Sequence, residues 1–207
     1  MKKIVLLTMV LFSITCLASK AAENVAAQAS NGGTSYFTSI GSYFSVPQSD
    51  INVVRHRGIP EEEVPVVFFL SRQAKVAPST IINLRRKGVS WLEITQRFGY
   101  GPEIFYVAVD ANVVADPPYR RVYEDYNSKP MKQWSEVTLR DNDIINLVNL
   151  KYISEYYKYP PEPIMTMRHD NKGFAAISDE IVNQQNPDHA TGTKKQLGKA
   201  KQFLKKI

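Results

Sequence analysis

The residues of this chain best suited to making contacts are gathered in one stretch. Tyr119, Tyr123 and Tyr126 recur at helical spacing, Arg120, Arg121 and Lys132 lie among them, and Trp134 follows. Aromatic rings and guanidinium groups dominate the energetic centres of protein contacts. Such a set suits a surface for a partner protein, a glycan or an anionic polymer; the plainer reading is a lid of tyrosines laid over a helical core. The other chemistry-bearing types give less. His56, His169 and His189 show no metal-ligand spacing, so no metal or other cofactor is expected. Glu61 to Glu63 and Asp141 with Asp143 sit at helix starts, where capping and the helix dipole account for acids. No nucleophile motif accompanies them, and no catalytic residue is assigned.

The elements that position these residues repeat. Val76 to Ile94 (VAPSTIINLRRKGVSWLEI) has a counterpart thirty residues earlier in Val46 to Val64 (VPQSDINVVRHRGIPEEEV). Val46, Ile51, Val54, Arg55, Gly58, Ile59, Glu63 and Val64 align without a gap on Val76, Ile81, Leu84, Arg85, Gly88, Val89, Glu93 and Ile94. A third segment aligns Pro161, Ile164, Met167 and Arg168 with Pro78, Ile81, Leu84 and Arg85. Each predicts a helix, a turn containing Pro, and a short helix ending in Arg, followed by Gly. After Arg168 the third segment is expected to have a turn two residues longer, HDNKG. A recurring period of this kind marks a supersecondary unit that buries its apolar face only against its neighbours.

The expectation is therefore a mainly α-helical fold of three helix-turn-helix-like repeats in one array. Repeats one and two occupy 34–98, an aromatic insert 99–140, and repeat three 141–183. Thr34 or Ser35 is placed to cap the first helix, and Asp141 or Asn142 the first helix of repeat three. In the insert, Glu103 to Val109 (EIFYVAV) reads as a strand or extended segment, and Val137 to Leu139 as a second short strand. The run Val66 to Leu70, apolar nearly all round, predicts the most buried helix. The shared core is expected around Phe68, Phe69, Ile81, Leu84, Trp91, Leu147 and Ile153.

Leu70 to Leu84 (LSRQAKVAPSTIINL) resembles the helix-turn-helix of the lactose-repressor family of transcription regulators. Ala74 stands at the small-residue position, Val76 in the turn, and Pro78, Ser79 and Thr80 open the second helix. Lys75 stands where the family's turn has Gly. The resemblance implies that Ser79, Thr80 and Asn83 would face DNA bases. The corresponding residues are Gln48, Ser49, Asp50 and Asn52 in repeat one, and Glu162 and Pro163 in repeat three. Acids and proline suit phosphate poorly, so nucleic acid is disfavoured as a partner and a DNA-binding regulator is kept as the alternative.

Charge and the chain's first residues point outside the cytoplasm. Lys2 and Lys3 precede an apolar run from Ile4 to Ala18 and then small residues, the layout of a secretory signal peptide over 1–21, cleaved near Ala21. Cys16, the one cysteine, follows Ser13-Ile14-Thr15, a poor match to a lipobox, so lipidation there is the lesser reading. Residues 22–33 read as a flexible leader. The formal net charge of +6 is concentrated at the ends: 194–207 hold six lysines and no acid, which leaves a mildly acidic body. Residues 184–207 are read as a polar linker and a basic tail whose Leu197, Ala200, Leu204 and Ile207 share a helical face. Such a tail offers peripheral contact with an anionic membrane surface. The function expected is an exported, non-enzymatic binding or structural protein of the cell envelope, periplasmic or secreted. It would contact a partner protein or anionic polymer through the insert and tail. An enzyme acting on envelope polymers is a further alternative.

Overall fold

The computed structural model describes residues 34–110 and 117–186. The signal segment, Cys16, the leader, Asp116 and the basic tail lie outside the described residues. Nine α-helices are found among those described: α1 Thr34–Phe44, α2 Gln48–His56, α3 Val64–Ala74, α4 Pro78–Arg86, α5 Trp91–Arg97, α6 Arg120–Asn127, α7 Asp141–Tyr157, α8 Pro161–His169 and α9 Phe174–Gln185. Short 3-10 turns precede α3 (Glu61–Glu63) and flank α6 (Pro102–Phe105 and Met131–Glu136). The fold is mainly α.

Backbone punctuation explains where the helices stop. Residues Ser45, Lys75 and Lys158 follow α1, α3 and α7, and each is left-handed, with φ of 57°, 54° and 53°. Just after α2, α4 and α8, Gly58, Gly88 and Asn171 are left-handed as well. Both sets fall at the same two spacings in sequence. The turn after Arg168 is thus no longer than its counterpart after Arg85, contrary to expectation. Asn171 takes the place of Gly88, which its short side chain allows because it tolerates the left-handed region, and Gly173 merely precedes α9.

Lys75 stands where the resembled family has Gly, and it adopts the conformation Gly would supply. A left-handed residue with a Cβ costs about 1–2 kcal/mol, partly offset by the chain entropy that Gly adds to the unfolded state. Lys75→Gly is therefore expected to stabilise the protein by about 0.5–1 kcal/mol, read as a raised urea midpoint with an unchanged slope.

Two long apolar helices form the centre. In α3, eight consecutive residues from Val64 to Ser71 are buried, and α7 buries Asp143 through Leu150 without a break. They pack on each other. Helix α1 covers both, α9 closes against α1 and α7, and α5 seats on α7. The core includes Phe68, Phe69, Ile81, Trp91, Leu147 and Ile153, with Leu84 half-buried at its edge. Each fully buried side chain of this size contributes about 1.5–3 kcal/mol.

No strand is present among the described residues. Glu103 to Phe105 wind into a 3-10 turn, and 106–110 continue without regular secondary structure. Val137 to Leu139 likewise form no ladder. The β-favouring side chains serve packing instead: Phe105 is buried against Phe69 (ring centroids 5.6 Å apart), and Tyr106 meets Tyr126 and Trp134. Burial of aromatics overrides strand propensity where no edge is available to pair.

Candidate functional site

The insert's aromatic residues face inward. Tyr119, Tyr123 and Tyr126 are buried, and their hydroxyls donate to main-chain carbonyls of Asn146 (3.5 Å), Val107 (2.8 Å) and Pro102 (2.6 Å). Trp134 is half-buried beside Tyr126 and Tyr106, with its indole N–H directed to the Tyr126 carbonyl at 3.0 Å. Arg121 bonds the Asp143 carboxylate and the Thr138 carbonyl. Arg120 and Lys132 are exposed. Of the residues picked out by type and spacing, Tyr123, Tyr126 and Trp134 pack on the insert's own segment 102–107 and on one another, Tyr119 reaches the Asn146 carbonyl of α7, and Arg120 and Lys132 are exposed.

Burial pushes the hydroxyl pKa of Tyr119, Tyr123 and Tyr126 upward, as it does for Tyr36 and Tyr152 between α1 and α7. Burial, then the hydrogen bond to Glu155, pushes Tyr43 up to about 12. An acid whose folded pKa is raised keeps its proton in the fold after the unfolded chain has lost it. The stability these groups contribute is whole below the unfolded tyrosine pKa of about 10 and is lost as pH rises beyond it. The urea midpoint is expected to be level from pH 8 to 9 and to fall steeply above pH 10. A midpoint unchanged at pH 11 would contradict the buried placement.

Charged residues converge where α3 and α7 begin, and they form two clasps of one design. In the first, Arg85 at the end of α4 makes paired bonds to Glu63 (2.9 and 2.8 Å) and reaches Asp141 (2.5 Å). Asp141 also accepts the Trp91 N–H, at the first residue of α5 (2.8 Å), and the guanidinium lies 4.7 Å from the Trp91 ring centre. In the second, Arg168 at the end of α8 pairs with Glu62 (3.0 and 2.7 Å). Glu62 accepts the Phe174 N–H that opens α9 (3.2 Å), and Arg168 covers the Phe174 ring at 4.4 Å. The capping carboxylates are exchanged: Asp141, at the start of α7, caps α5, and Glu62, just before α3, caps α9.

Partial burial works against the Arg85 charge, but its hydrogen bonds to Glu63 and Asp141 outweigh this and raise its pKa. Asp141 and Asn142 do not cap their own helix. Asp143, three residues after Arg140, accepts the Arg140 N–H (2.8 Å) and fills that place. Arg55, the counterpart of Arg85 and Arg168, has no such clasp among the described residues. It lies 3.9 Å from the Phe37 ring centre on an exposed helix end.

Beside the second clasp is a groove of about 790 Å³ of mixed lining, which includes Pro117, Ile145, Arg140, Asn146, His169 and Asn171. Its carboxylates, Glu62, Asp141 and Asp143, are all held by arginines. The His169 ring nitrogen Nδ1 lies 2.9 Å from the Pro117 carbonyl and donates to it. No group of His, Cys, Asp and Glu able to hold a metal occurs among the described residues. Sequence reasoning passed over Asn146 and Asn149; two amides on the buried face of an apolar helix are the signal that could have found them.

The residues that the repressor resemblance would place on DNA are in the open. Ser79, Thr80 and Asn83 are exposed on α4, as are Gln48, Ser49, Asp50 and Asn52 on α2. In α8, Pro163 is exposed, while Glu162 accepts the Asp110 main-chain N–H.

Comparison with protein-family models, with curated proteins and with solved structures finds no match for this chain.

Proposed function

We propose that this protein is an exported, non-enzymatic binding or structural protein of the cell envelope, built from three copies of one helix-turn-helix unit. The copies comprise α1–α2, α3–α4–α5 and α7–α8–α9, with the α6 insert laid across the third. The observation that carries this reading is the pair of exchanged clasps. The charged residues of the interior hold unit to unit, so their repeated design serves cohesion, and contact falls to the outer surface. The signal-like N-terminal segment supports export. No helix among the described residues is long and apolar enough to cross a membrane. The partner is a protein or anionic polymer, met through the outer side of the insert (Arg120, Lys132) and through the basic tail.

The alternative is a helix-turn-helix regulator. It is favoured by the exposure of Ser79, Thr80 and Asn83 on one face of α4 with Arg86 and Lys87 behind them. A pull-down from envelope fractions with residues 22–207, with and without 194–207, tests the binding role. Recovery of a defined partner that weakens when the tail is removed supports it. Recovery of nothing from the envelope, with retention on duplex DNA, would favour the regulator.

A further inference from the structure

The second helices of the three proposed units stop in the same way but with different charges. Helices α2, α4 and α8 end in His56, Arg86 and His169, and Arg57, Lys87 and Asp170 follow them. The closing turn is shared: Gly58, Gly88 and Asn171 donate to the carbonyls of Arg55, Arg85 and Arg168 at 3.0, 2.9 and 3.0 Å. Val89 and Lys172 then donate to the carbonyls of Leu84 and Met167, at 3.4 and 3.3 Å. A cation at a helix end is ordinarily explained by the helix dipole. The third unit closes this turn with His169 and Asp170, however, so the turn does not depend on cations at the places of Arg57, Arg86 and Lys87.

In the first two units these helix ends meet. Helix α2 packs on α4, and Arg57 donates to the Asn83 side-chain oxygen (3.3 Å), which leaves the amide nitrogen of that exposed side chain as a donor. Asn83, Arg86 and Lys87 share one face of α4 by their spacing, and all are exposed. Three cations therefore gather on one edge of the protein. No ion pair engages Arg57, Arg86 or Lys87 among the described residues. Asp50, at the far end of α2, is the one carboxylate on either helix. Like charges gathered without a counter-charge repel one another, and the third unit shows that the turn does not ask for them.

We infer that the edge formed by Arg57, Asn83, Arg86 and Lys87 binds a flexible phosphate polymer. This rests on the three-unit reading, narrows the anionic polymer proposed above to one chemistry, and adds a surface for it besides the insert and tail. Donors from two helix ends converge here. A tetrahedral phosphate accepts from several directions at once, whereas a planar carboxylate is matched by one or two donors. Duplex DNA fits less well, because a helix seated in a major groove about 12 Å wide needs cations toward both phosphate strands, and α4 carries none before Arg85. A polypeptide partner would rely on apolar anchors, and Val53 is the one large apolar residue exposed on either helix.

The test is fluorescence anisotropy of labelled linear polyphosphate with residues 22–207, from about 50 to 200 mM salt at about pH 8, where an introduced histidine is neutral. Duplex DNA and poly-L-glutamate of matched charge serve as comparators. The edge variant combines Arg57→Gln, Arg86→His and Lys87→Asp, the last two being residues that the third unit already carries in this turn. The tail variant, which removes an equal charge, combines Lys194→Gln, Lys195→Gln, Lys199→Gln and Lys201→Gln. Polyphosphate is expected to bind the parent most tightly. The edge variant is expected to weaken it at least about tenfold and to make the salt slope shallower by about 2, at about 0.7 for each lost phosphate contact. The tail variant is expected to cost less than about threefold. All three edge positions are exposed, so the edge variant should melt as the parent does. An edge variant that binds like the parent, or a tail variant that loses more, would overturn the surface. Tighter binding of DNA or poly-L-glutamate would overturn the phosphate polymer, and absence of binding by the parent would overturn both. The edge variant keeps the insert and tail intact, so an envelope partner recovered through those is decided separately.

Discussion

Asn149→Ala is expected to lower the free energy of unfolding by about 3–5 kcal/mol, the largest loss from any single polar side chain here. Asn149 is fully buried in α7. Its amide nitrogen donates to the Glu62 carbonyl and to the Ile145 carbonyl, each at 2.8 Å, and its oxygen accepts the Tyr36 hydroxyl at 2.6 Å. One side chain thus joins α1, the turn before α3, and α7. Alanine would leave the Glu62 carbonyl and the Tyr36 hydroxyl buried without partners, at about 1–3 kcal/mol each, and would add a small cavity. The Ile145 carbonyl is still served by its own helix. Adding Tyr36→Phe to Asn149→Ala should recover about 1 kcal/mol, because it removes one orphaned group. Urea unfolding of the two single variants and the double one checks both figures. Simple additivity would mean that the two residues do not bond.

Arg85→Ala is the second large loss, about 2–4 kcal/mol. Removing one partner of a buried ion pair costs about 3–5 kcal/mol because a buried charge is left behind. The guanidinium is 19% exposed and Asp141 32%, so water relieves part of that; Glu63, at 10%, is the group left stranded. The change also uncovers the Trp91 ring. Arg55→Ala provides the internal control. Arg55 holds the same place in the first unit but has only its Phe37 contact, worth about 0.5–1 kcal/mol when exposed. A ratio of about three or more between the two losses is the signature of the clasp. Equal losses would mean that these arginines serve only as helix-end cations.

Much of the scaffold was legible in the chain, and the reason is local. Periodic apolar residues mark α3 and α7. Gly58 and Gly88 announce left-handed turns because glycine has few other uses at a helix end. Ser45, Lys75 and Lys158 carry no such mark, since their conformation is imposed by packing on either side, and Asn171 was hidden behind the more conspicuous Gly173. The clasps were illegible for a different cause. Glu61 to Glu63, Asp141 and Asp143 have a sufficient local explanation as acids at helix starts, so nothing in the sequence asks for the distant arginines that they meet. The tyrosines of the insert show the limit of spacing itself. A periodicity of three and four places Tyr119, Tyr123 and Tyr126 on one side of α6 but does not say whether that side meets solvent or the rest of the protein. The aromatic run EIFYVAV was read through its strand propensity, and pairing requires an edge that this helical core does not offer.

Where the protein works decides between the envelope and the regulatory role, and the most direct measurement is its intact mass taken separately from cytoplasmic and envelope fractions. A chain recovered outside the cytoplasm and shortened by removal of residues up to about Ala21 is the predicted result. A full-length chain confined to the cytoplasm would contradict it and return the exposed face of α4 to the service of nucleic acid.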